Sequence, residues 1–303
     1  MTANPFERIR ETHGTVVLDG GLATELERRG ADLRDPLWSA KVLVEKPDAI
    51  RRVHEAYFEA GADVAISASY QATFEGLAGR GIERDDAAKL MQRSVELARE
   101  AAGGDRVVAA SVGPYGAMLG NGAEYTGDYD RNEDELVEFH VPRLEALAEA
   151  GPDVFAVETI PSFVEARALA RALGRVPEIP AWVSFSCRDG RHVCDGTPIE
   201  EAVEVAAAAP SVIAVGVNCT PPLHVERLVE TISATTDRPV VCYPNRGSFW
   251  DPMRKAWTDP PRQDARPPLR PLAWREAGAS LIGGCCGTTP EDIAAIAAAL
   301  GRA

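Results

Sequence analysis

Short apolar runs alternate with amphipathic stretches along most of the chain. Each run is nearly continuous, without the polar alternation of a half-exposed strand, and this pattern is typical of strands buried on both faces. The runs predict eight strands, at residues 15–21, 62–70, 106–116, 154–159, 181–187, 211–219, 238–245 and 279–286.

The stretches between the runs carry helical periodicity and helix boundary residues. Gly30 ends the first helical segment, and Pro47 interrupts the second. Three capping boxes are predicted to open later helices, at Ser162 with Glu165, at Thr197 with Glu200 and at Thr289 with Asp292. The predicted helical segments are residues 22–30, 37–61 with the break, 85–102, 132–150, and those that follow the three boxes.

Eight strands that alternate with helices predict an α/β fold with a parallel sheet, and the number eight favours a (β/α)8 TIM barrel forming a single domain over residues 1–303. An open doubly wound sheet is the alternative architecture. It is disfavoured because no GxGxxG or GxxxxGK[ST] motif follows the first strand. In a barrel the carboxyl ends of all strands meet at one mouth, where active sites are found.

Composition narrows the class of function. The 303 residues are 45% hydrophobic and carry a net charge of -14 with both signs interspersed, which disfavours nucleic-acid binding and a polybasic membrane patch. The N-terminus has no apolar signal core, and no apolar run has the length of a membrane span. We therefore expect a cytoplasmic enzyme of small molecules, with a homo-oligomer left open. In that compartment the six cysteines stay reduced.

Cysteines end three of the predicted strands, and two of these strand ends supply the candidate metal ligands. Cys285 and Cys286 follow Gly283 and Gly284, and Cys219 ends the sixth strand. Buried packing and a vicinal disulfide are alternatives for the adjacent pair, since free cysteine is commonly buried. With the third cysteine, a metal site becomes the stronger hypothesis, because three thiolates with an open fourth position describe a catalytic zinc site.

Position does not single out these three cysteines. Cys187 and Cys194 also lie near the predicted mouth, whereas Cys242 lies inside a strand and is expected to pack there. The five histidines fall in loops or helices, so a histidine-rich metal centre is not expected.

Two long connections are expected to be lids, binding elements or plain surface connectors. Residues 116–131 follow the third strand, and residues 246–266 follow the seventh and contain Trp250 and Trp257.

Several motifs together resemble the zinc-dependent homocysteine S-methyltransferases, nearest the branch that uses S-methylmethionine or S-adenosylmethionine. They are LDGGLATELERRG, LWSAKVLVEKPDAI, SASYQAT, the AVET strand end, DGTPIEEAV, VGVNCTPP, YPN and GGCCGTTPEDI, which span nearly the whole chain. The resemblance implies zinc ligation by Cys219, Cys285 and Cys286, and homocysteine recognition by Asp19 and Glu158.

The sequence departs from the family pattern at two places. SASYQAT lacks an early threonine, and Arg246 follows YPN where a small residue is usual. The methyl donor therefore stays open among S-methylmethionine, S-adenosylmethionine and a betaine-like compound.

The implied chemistry agrees with elementary thiol chemistry. A thiol with a pKa of about 8.5 is mostly protonated at neutral pH, and zinc would supply the thiolate, which is the nucleophile. Three thiolates quench much of the Lewis acidity of the ion, so a water-activating hydrolase is less favoured. The thiolate would attack the methyl carbon of a sulfonium donor to give methionine, and no catalytic nucleophile or general base from the protein is required.

Charge agrees with the substrate residues that the resemblance implies. Asp19 and Glu158 can pair with the ammonium group of homocysteine, and backbone amides near Gly20, Gly21 and Ala23 can bind its carboxylate. Helix capping is the alternative role for Asp19. Asn218 is predicted to orient substrate through its amide or to be an ordinary turn residue. Candidates for the sulfonium contact are Tyr70, Tyr115, Tyr125 and Tyr243.

Two other classes of function stay open on the sequence alone. One is a barrel lyase or isomerase in which the thiols are inert and Asp19 and Glu158 act as acid and base. The other is a non-catalytic zinc-binding protein, which would bind metal without thiol-dependent turnover.

Overall fold

A computed structural model describes residues 4–31, 38–104, 106–247, 250–251, 256–257 and 267–302. Within this part of the chain, eight parallel strands form one sheet in the order β1-β10-β7-β6-β5-β4-β3-β2. A parallel bridge between Leu18 and Val64 joins the two end strands, so the sheet closes into a barrel. The strands are β1 Val16–Val17, β2 Val64–Ile66, β3 Val107–Val112, β4 Val154–Ile160, β5 Ala181–Phe185, β6 Val212–Asn218, β7 Val240–Tyr243 and β10 Ala279–Ile282.

Helices surround the barrel, and the predicted (β/α)8 TIM barrel is confirmed. The break predicted at Pro47 separates α3 from α4, because Pro47 is the first residue of α4. The helices are α1 Glu7–His13, α2 Leu22–Arg28, α3 Trp38–Glu45, α4 Pro47–Glu59, α5 Phe74–Ala78, α6 Arg84–Ala102, α7 Tyr115–Leu119, α8 Glu133–Ala148, α9 Phe163–Leu173, α10 Ile199–Ala207, α11 Pro222–Thr235, α12 Pro271–Glu276 and α13 Pro290–Ala299.

Two apolar layers hold the fold together. The larger one lies between the strands and the surrounding helices, and the smaller one fills the barrel interior with alternate residues of the strands. Phe6, just before α1, packs against Trp182 of β5 inside the barrel, with ring centroids 6.1 Å apart. Burial of both faces explains why the strands are almost continuously apolar in sequence.

The three predicted capping boxes have different outcomes. At α13 the box is present, with Thr289 and Asp292 bonded reciprocally. At α9 Ser162 accepts from the amide of Glu165, but the Glu165 carboxylate binds the amide of Tyr115 instead, so the box is incomplete. At α10 the prediction is wrong, since Pro198 is the N-cap residue and makes no side-chain cap.

The structure describes the two long connections to different extents. Residues 116–131 contain most of α7 and a 3-10 turn, Ala123–Tyr125, which reaches the barrel mouth. Residues 246–266 lie mostly outside the described part, apart from the antiparallel pair β8 Trp250–Asp251 and β9 Ala256–Trp257. Among the described helices, none is long and apolar enough to cross a membrane.

Candidate metal centre and substrate pocket

Three cysteine sulfurs meet at the mouth of the barrel. The Sγ atoms of Cys219, Cys285 and Cys286 all lie within 4.8 Å of one another, with 3.5 Å from Cys219 to Cys286 and 4.0 Å from Cys285 to Cys286. Four sulfurs around one ion at bonds of about 2.3 Å would be separated by roughly 3.8 Å. The three side chains therefore fit three corners of a tetrahedral thiolate site.

The backbone of Cys219 is bent to aim its side chain at the cluster. Its φ of 45° lies in the left-handed region, which a residue with a Cβ seldom adopts. The Cys219 amide donates to the carbonyl of Tyr243 at 3.1 Å, and the Asn245 side chain donates to the Cys219 carbonyl at 3.2 Å. These bonds to the loop after β7 hold the strained residue in place.

The adjacent pair is held by close packing of its loop. Gly283 and Gly284 precede the pair, and neither position has room for a side chain. A Cβ on Gly284 would lie 2.5 Å from the Thr288 hydroxyl oxygen. That hydroxyl donates to the carbonyl of Cys285 at 2.5 Å and accepts from the amide of Gly21 at 3.0 Å, so it joins the cysteine loop to the loop after β1.

The thiols share protons within the cluster. Hydrogen bonds from the Cys285 and Cys286 thiols hold the pKa of Cys219 well below its usual range. The same contacts, together with burial, raise the pKa values of Cys285 and Cys286, because a thiolate beside the Cys219 sulfur is disfavoured. A divalent cation that replaces these protons would satisfy all three sulfurs at once.

The remaining cysteines take no part in the cluster. Cys187 and Cys242 are buried, and Cys194 contacts the Ser186 hydroxyl at 3.4 Å. Burial raises the pKa of Cys242 well above that of a free thiol, as expected for a packing residue. Within the described part of the chain, Cys219, Cys285 and Cys286 form the only group of three or more metal-binding side chains.

A pocket opens beside the cysteine cluster and is lined by the ends of most barrel strands. Its wall includes the three cysteines, Glu158, and three of the four tyrosines proposed to contact a sulfonium, namely Tyr70, Tyr125 and Tyr243. Tyr115 lies elsewhere, packed on Phe139 with ring centroids 5.0 Å apart and outside the pocket lining.

The two carboxylates proposed for homocysteine are buried, with Asp19 directly after β1 and Glu158 near the end of β4, and Asp19 is not among the residues that line the pocket. Glu158 lines the pocket and bonds to the Ser111 hydroxyl, and burial raises its pKa to about 7. Asp19 accepts from the amide of Ile66 at 2.8 Å, while its Oδ1 has no hydrogen-bond partner among the described residues. Burial first, and then the Glu158 charge, hold the pKa of Asp19 well above its usual range.

Asp19 does not cap the helix that follows it. Gly21 is the N-cap residue of α2, and no side chain caps this helix. The amide of Gly21, one of three proposed for the substrate carboxylate, is already bonded to Thr288. Gly20 and Ala23 line the pocket, so their predicted role stays a prediction.

The amide of Asn218 is used within the protein. Its Oδ1 accepts from the Thr159 amide at 2.7 Å and from the Ser184 hydroxyl at 2.9 Å, and its Nδ2 donates to the Thr159 hydroxyl at 2.7 Å. Thr159 has a φ of 62° and directly follows Glu158. Direct substrate binding by Asn218 stays a prediction, and its visible role is to fix the backbone beside Glu158.

Sequence analysis missed Glu124. This residue of the 116–131 connection is buried, lines the pocket, and has a pKa raised to about 7 by burial. The next residue, Tyr125, places its hydroxyl 3.8 Å from the Cys219 sulfur. No strand end or periodic pattern marks Glu124, because it lies in a glycine-rich connection whose path depends on the folded barrel.

Comparisons with known proteins agree with this geometry. The family model for homocysteine S-methyltransferases matches residues 16–300. Homocysteine S-methyltransferase YbgG of Bacillus subtilis is 47% identical over 97% of both chains, and a selenocysteine Se-methyltransferase of Brassica oleracea is 45% identical over 96% of this chain and 90% of its own. The metallated form of the Escherichia coli homocysteine methyltransferase MmuM superposes with a TM-score of 0.85 at 44% identity, covering 98% of this chain and all of that one.

Proposed function

Because the chain belongs to the homocysteine S-methyltransferase family, we propose that Cys219, Cys285 and Cys286 hold one zinc ion beside which homocysteine is methylated by a sulfonium donor. The observation that carries the proposal is the convergence of three sulfurs, from two distant stretches of the chain, at the pocket where the strands end. The thiolate-only donor set favours a soft ion such as zinc over the hard ions Mg²⁺ and Ca²⁺.

The zinc would supply one chemical property, namely an acceptor sulfur held as a thiolate at neutral pH. The protein residues would hold the rest of homocysteine. We assign the ammonium group to the Glu158 carboxylate and to the Asp19 Oδ1, which has no hydrogen-bond partner among the described residues. The bonds from Asn218 to Thr159 keep the backbone beside Glu158 fixed, which orients the carboxylate before substrate arrives.

The proposed methyl transfer requires no catalytic group from the protein. The acceptor thiol loses its proton on binding, its sulfur forms a bond to the methyl carbon, and the bond from that carbon to the donor sulfur breaks. The positively charged sulfonium donor leaves as a neutral thioether, and homocysteine becomes methionine. The part of the protein is to align the two sulfurs and exclude water.

The test is to incubate zinc-loaded protein and homocysteine with S-methylmethionine, S-adenosylmethionine or betaine in turn, and to quantify methionine. We expect methionine with at least one sulfonium donor and none without homocysteine. A protein that binds zinc through these cysteines yet forms no methionine with any of the donors would contradict the proposal and favour a non-catalytic zinc-binding protein. Zinc-free activity with a carbonyl substrate would instead favour the lyase or isomerase alternative.

A further inference from the structure

Glu124 is a buried carboxylate in the pocket wall that the reaction as described above leaves without a task. Glu124 is 4% exposed, and its Oε2 has no hydrogen-bond partner in the part of the chain that the structure describes. It lines the same pocket as the three cysteines.

The position of Glu124 is fixed by its backbone. Its carbonyl accepts from the Ser186 hydroxyl at 2.9 Å, which joins the 3-10 turn to the end of β5. Gly116 packs so closely on this turn that a Cβ there would lie 2.6 Å from the Glu124 amide nitrogen. The backbone of Glu124 is therefore fixed in the pocket lining by contacts with Ser186 and Gly116.

A buried carboxylate oxygen without a partner is costly, and such a group is expected where a ligand brings the missing partner. The proposed reaction involves two cations, the ammonium of homocysteine and the sulfonium of the donor. Asp19 and Glu158, at the ends of β1 and β4, already serve the ammonium in our proposal. Glu124 lies on a different element, the 3-10 turn Ala123–Tyr125. The next residue of this turn, Tyr125, has its hydroxyl 3.8 Å from the Cys219 sulfur.

We propose that Glu124 binds the positively charged sulfur of the methyl donor and selects a sulfonium over the neutral thioether. This inference rests on the proposed function, because the acceptor sulfur must sit at the cysteine cluster for the donor to lie against this wall. The tyrosine rings of the same pocket supply further π faces for a cation.

The proposed role of Glu124 predicts different effects on the KM for the donor and on kcat. The donor loses its positive charge as the methyl group leaves, so a carboxylate beside it stabilises the bound donor at least as strongly as the transition state. Loss of this carboxylate should therefore raise the KM for the donor and change kcat little. It should also remove the preference of the pocket for the charged donor over the neutral thioether product.

The test compares wild type with Glu124→Gln, which keeps the shape and removes the charge. Binding to the zinc-loaded proteins is measured by calorimetry at about pH 8, above the pKa of about 7 for Glu124. The ligands are S-methylmethionine, its neutral counterpart methionine, and a trialkylsulfonium that has no amino group. We expect both sulfonium ions to bind about 10- to 100-fold more weakly to Glu124→Gln, with methionine unchanged.

Asp130→Asn is the matched control, because it removes one negative charge from the same connection at an exposed position. It should bind all three ligands like wild type. Equal weakening of methionine and S-methylmethionine in Glu124→Gln would overturn the proposal, since the charge would not be what is recognised. Weakening of S-methylmethionine without the trialkylsulfonium would also overturn it, by assigning Glu124 to the ammonium group.

The homocysteine KM supplies a further criterion, and Glu124→Gln should leave it unchanged. A raised homocysteine KM with unchanged donor binding would overturn the proposal. These binding measurements do not require turnover. Wild type that binds sulfonium ions through Glu124 and forms no methionine would contradict the proposed function and support the role of Glu124.

Discussion

Two residues of the pocket beside the cysteine cluster have backbone conformations that only glycine adopts readily. Thr159 and Cys219 have φ values of 62° and 45°, and each stands at a strand end beside a residue assigned to the site. Such conformations cost on the order of 1–3 kcal/mol each and persist only where the surroundings fix them. The Asn218 amide fixes Thr159. The backbone of Cys219 is fixed by a hydrogen bond to the Tyr243 carbonyl and by one from the Asn245 side chain.

The cysteine ligands can be tested one at a time. Cys219→Ser, Cys285→Ser and Cys286→Ser are each expected to lose most bound zinc and methyl transfer, because a hydroxyl is a much poorer ligand than a thiolate for this ion. Circular dichroism should show an intact barrel. Cys194→Ser is the control, since its sulfur lies outside the cluster. A serine variant with full zinc content and activity would remove that cysteine from the ligand set.

The pKa of Glu158 predicts a pH dependence of homocysteine recognition. Burial raises this pKa to about 7, so the carboxylate is protonated as pH falls through that value and its attraction for an ammonium group disappears. Glu158→Gln lacks the charge at every pH. The ratio of the homocysteine KM of Glu158→Gln to that of wild type should therefore be large at about pH 8 and approach one at about pH 6.

This ratio cancels the pH dependence of the homocysteine thiol, which both proteins share. A ratio that stays constant across the range would show that Glu158 does not bind the ammonium group as a titrating carboxylate.

At this scale the sequence identifies residues that end strands and misses those on connections. Cys219, Cys285 and Glu158 each follow an apolar run, and the barrel geometry brings such positions together. Selection of Cys219 over Cys187 required the family resemblance, because both end strands. Glu124 has no such marker, and its burial follows from contacts with Ser186 and Gly116 that only the folded chain makes.

Among the elements, the loop after β10 depends on tight packing around its glycines. Gly284→Ala would place a methyl group 2.5 Å from the Thr288 hydroxyl oxygen and 2.7 Å from its Cβ. Thr288 is fully buried, so the loop must shift, at a cost of about 1–3 kcal/mol. We expect a lower free energy of unfolding and weaker zinc binding, measured by urea denaturation and competition with a chelator.

Gly104→Ala is the matched control for this change. Its Cβ would meet no atom within 4 Å, and its φ lies outside the left-handed region. Stability and zinc affinity should therefore stay within error of wild type or rise slightly. Unchanged zinc affinity in Gly284→Ala would show that the loop adapts without moving the cysteines.

Helix starts show why some elements are easier to predict than others. The box at Thr289 is formed because both partners are free to bond each other, and the sequence pattern suffices. Glu165 has the same spacing from Ser162, yet its carboxylate binds the Tyr115 amide, His140 and Tyr129. A buried tertiary network thus overrides a local motif, and no local pattern reveals this.

For the whole molecule, the cysteine centre joins strands that are not neighbours. Cys219 follows β6 and the adjacent pair follows β10, and β7 lies between these two strands in the sheet. The barrel itself was predictable because eight continuous apolar runs alternate with helical segments. The closure between β1 and β2 is made by the Leu18–Val64 bridge, by hydrogen bonds between Val17 and Asp63, and by the Asp19 carboxylate, which accepts from the Ile66 amide. This closure has no separate sequence signal, and its residues also carry part of the site.

Metal removal tests whether the centre stabilises the whole barrel. An ion bound by the folded cluster and only weakly by the unfolded chain raises stability by mass action. Chelation should therefore lower the thermal unfolding midpoint of wild type by on the order of 5 °C or more, and added zinc should restore it. Cys219→Ser should unfold at the same temperature with and without chelator, because it has no complete site to lose. If chelation strips the metal from wild type and leaves the midpoint unchanged, the ion contributes to chemistry without holding the ends of β6 and β10 together.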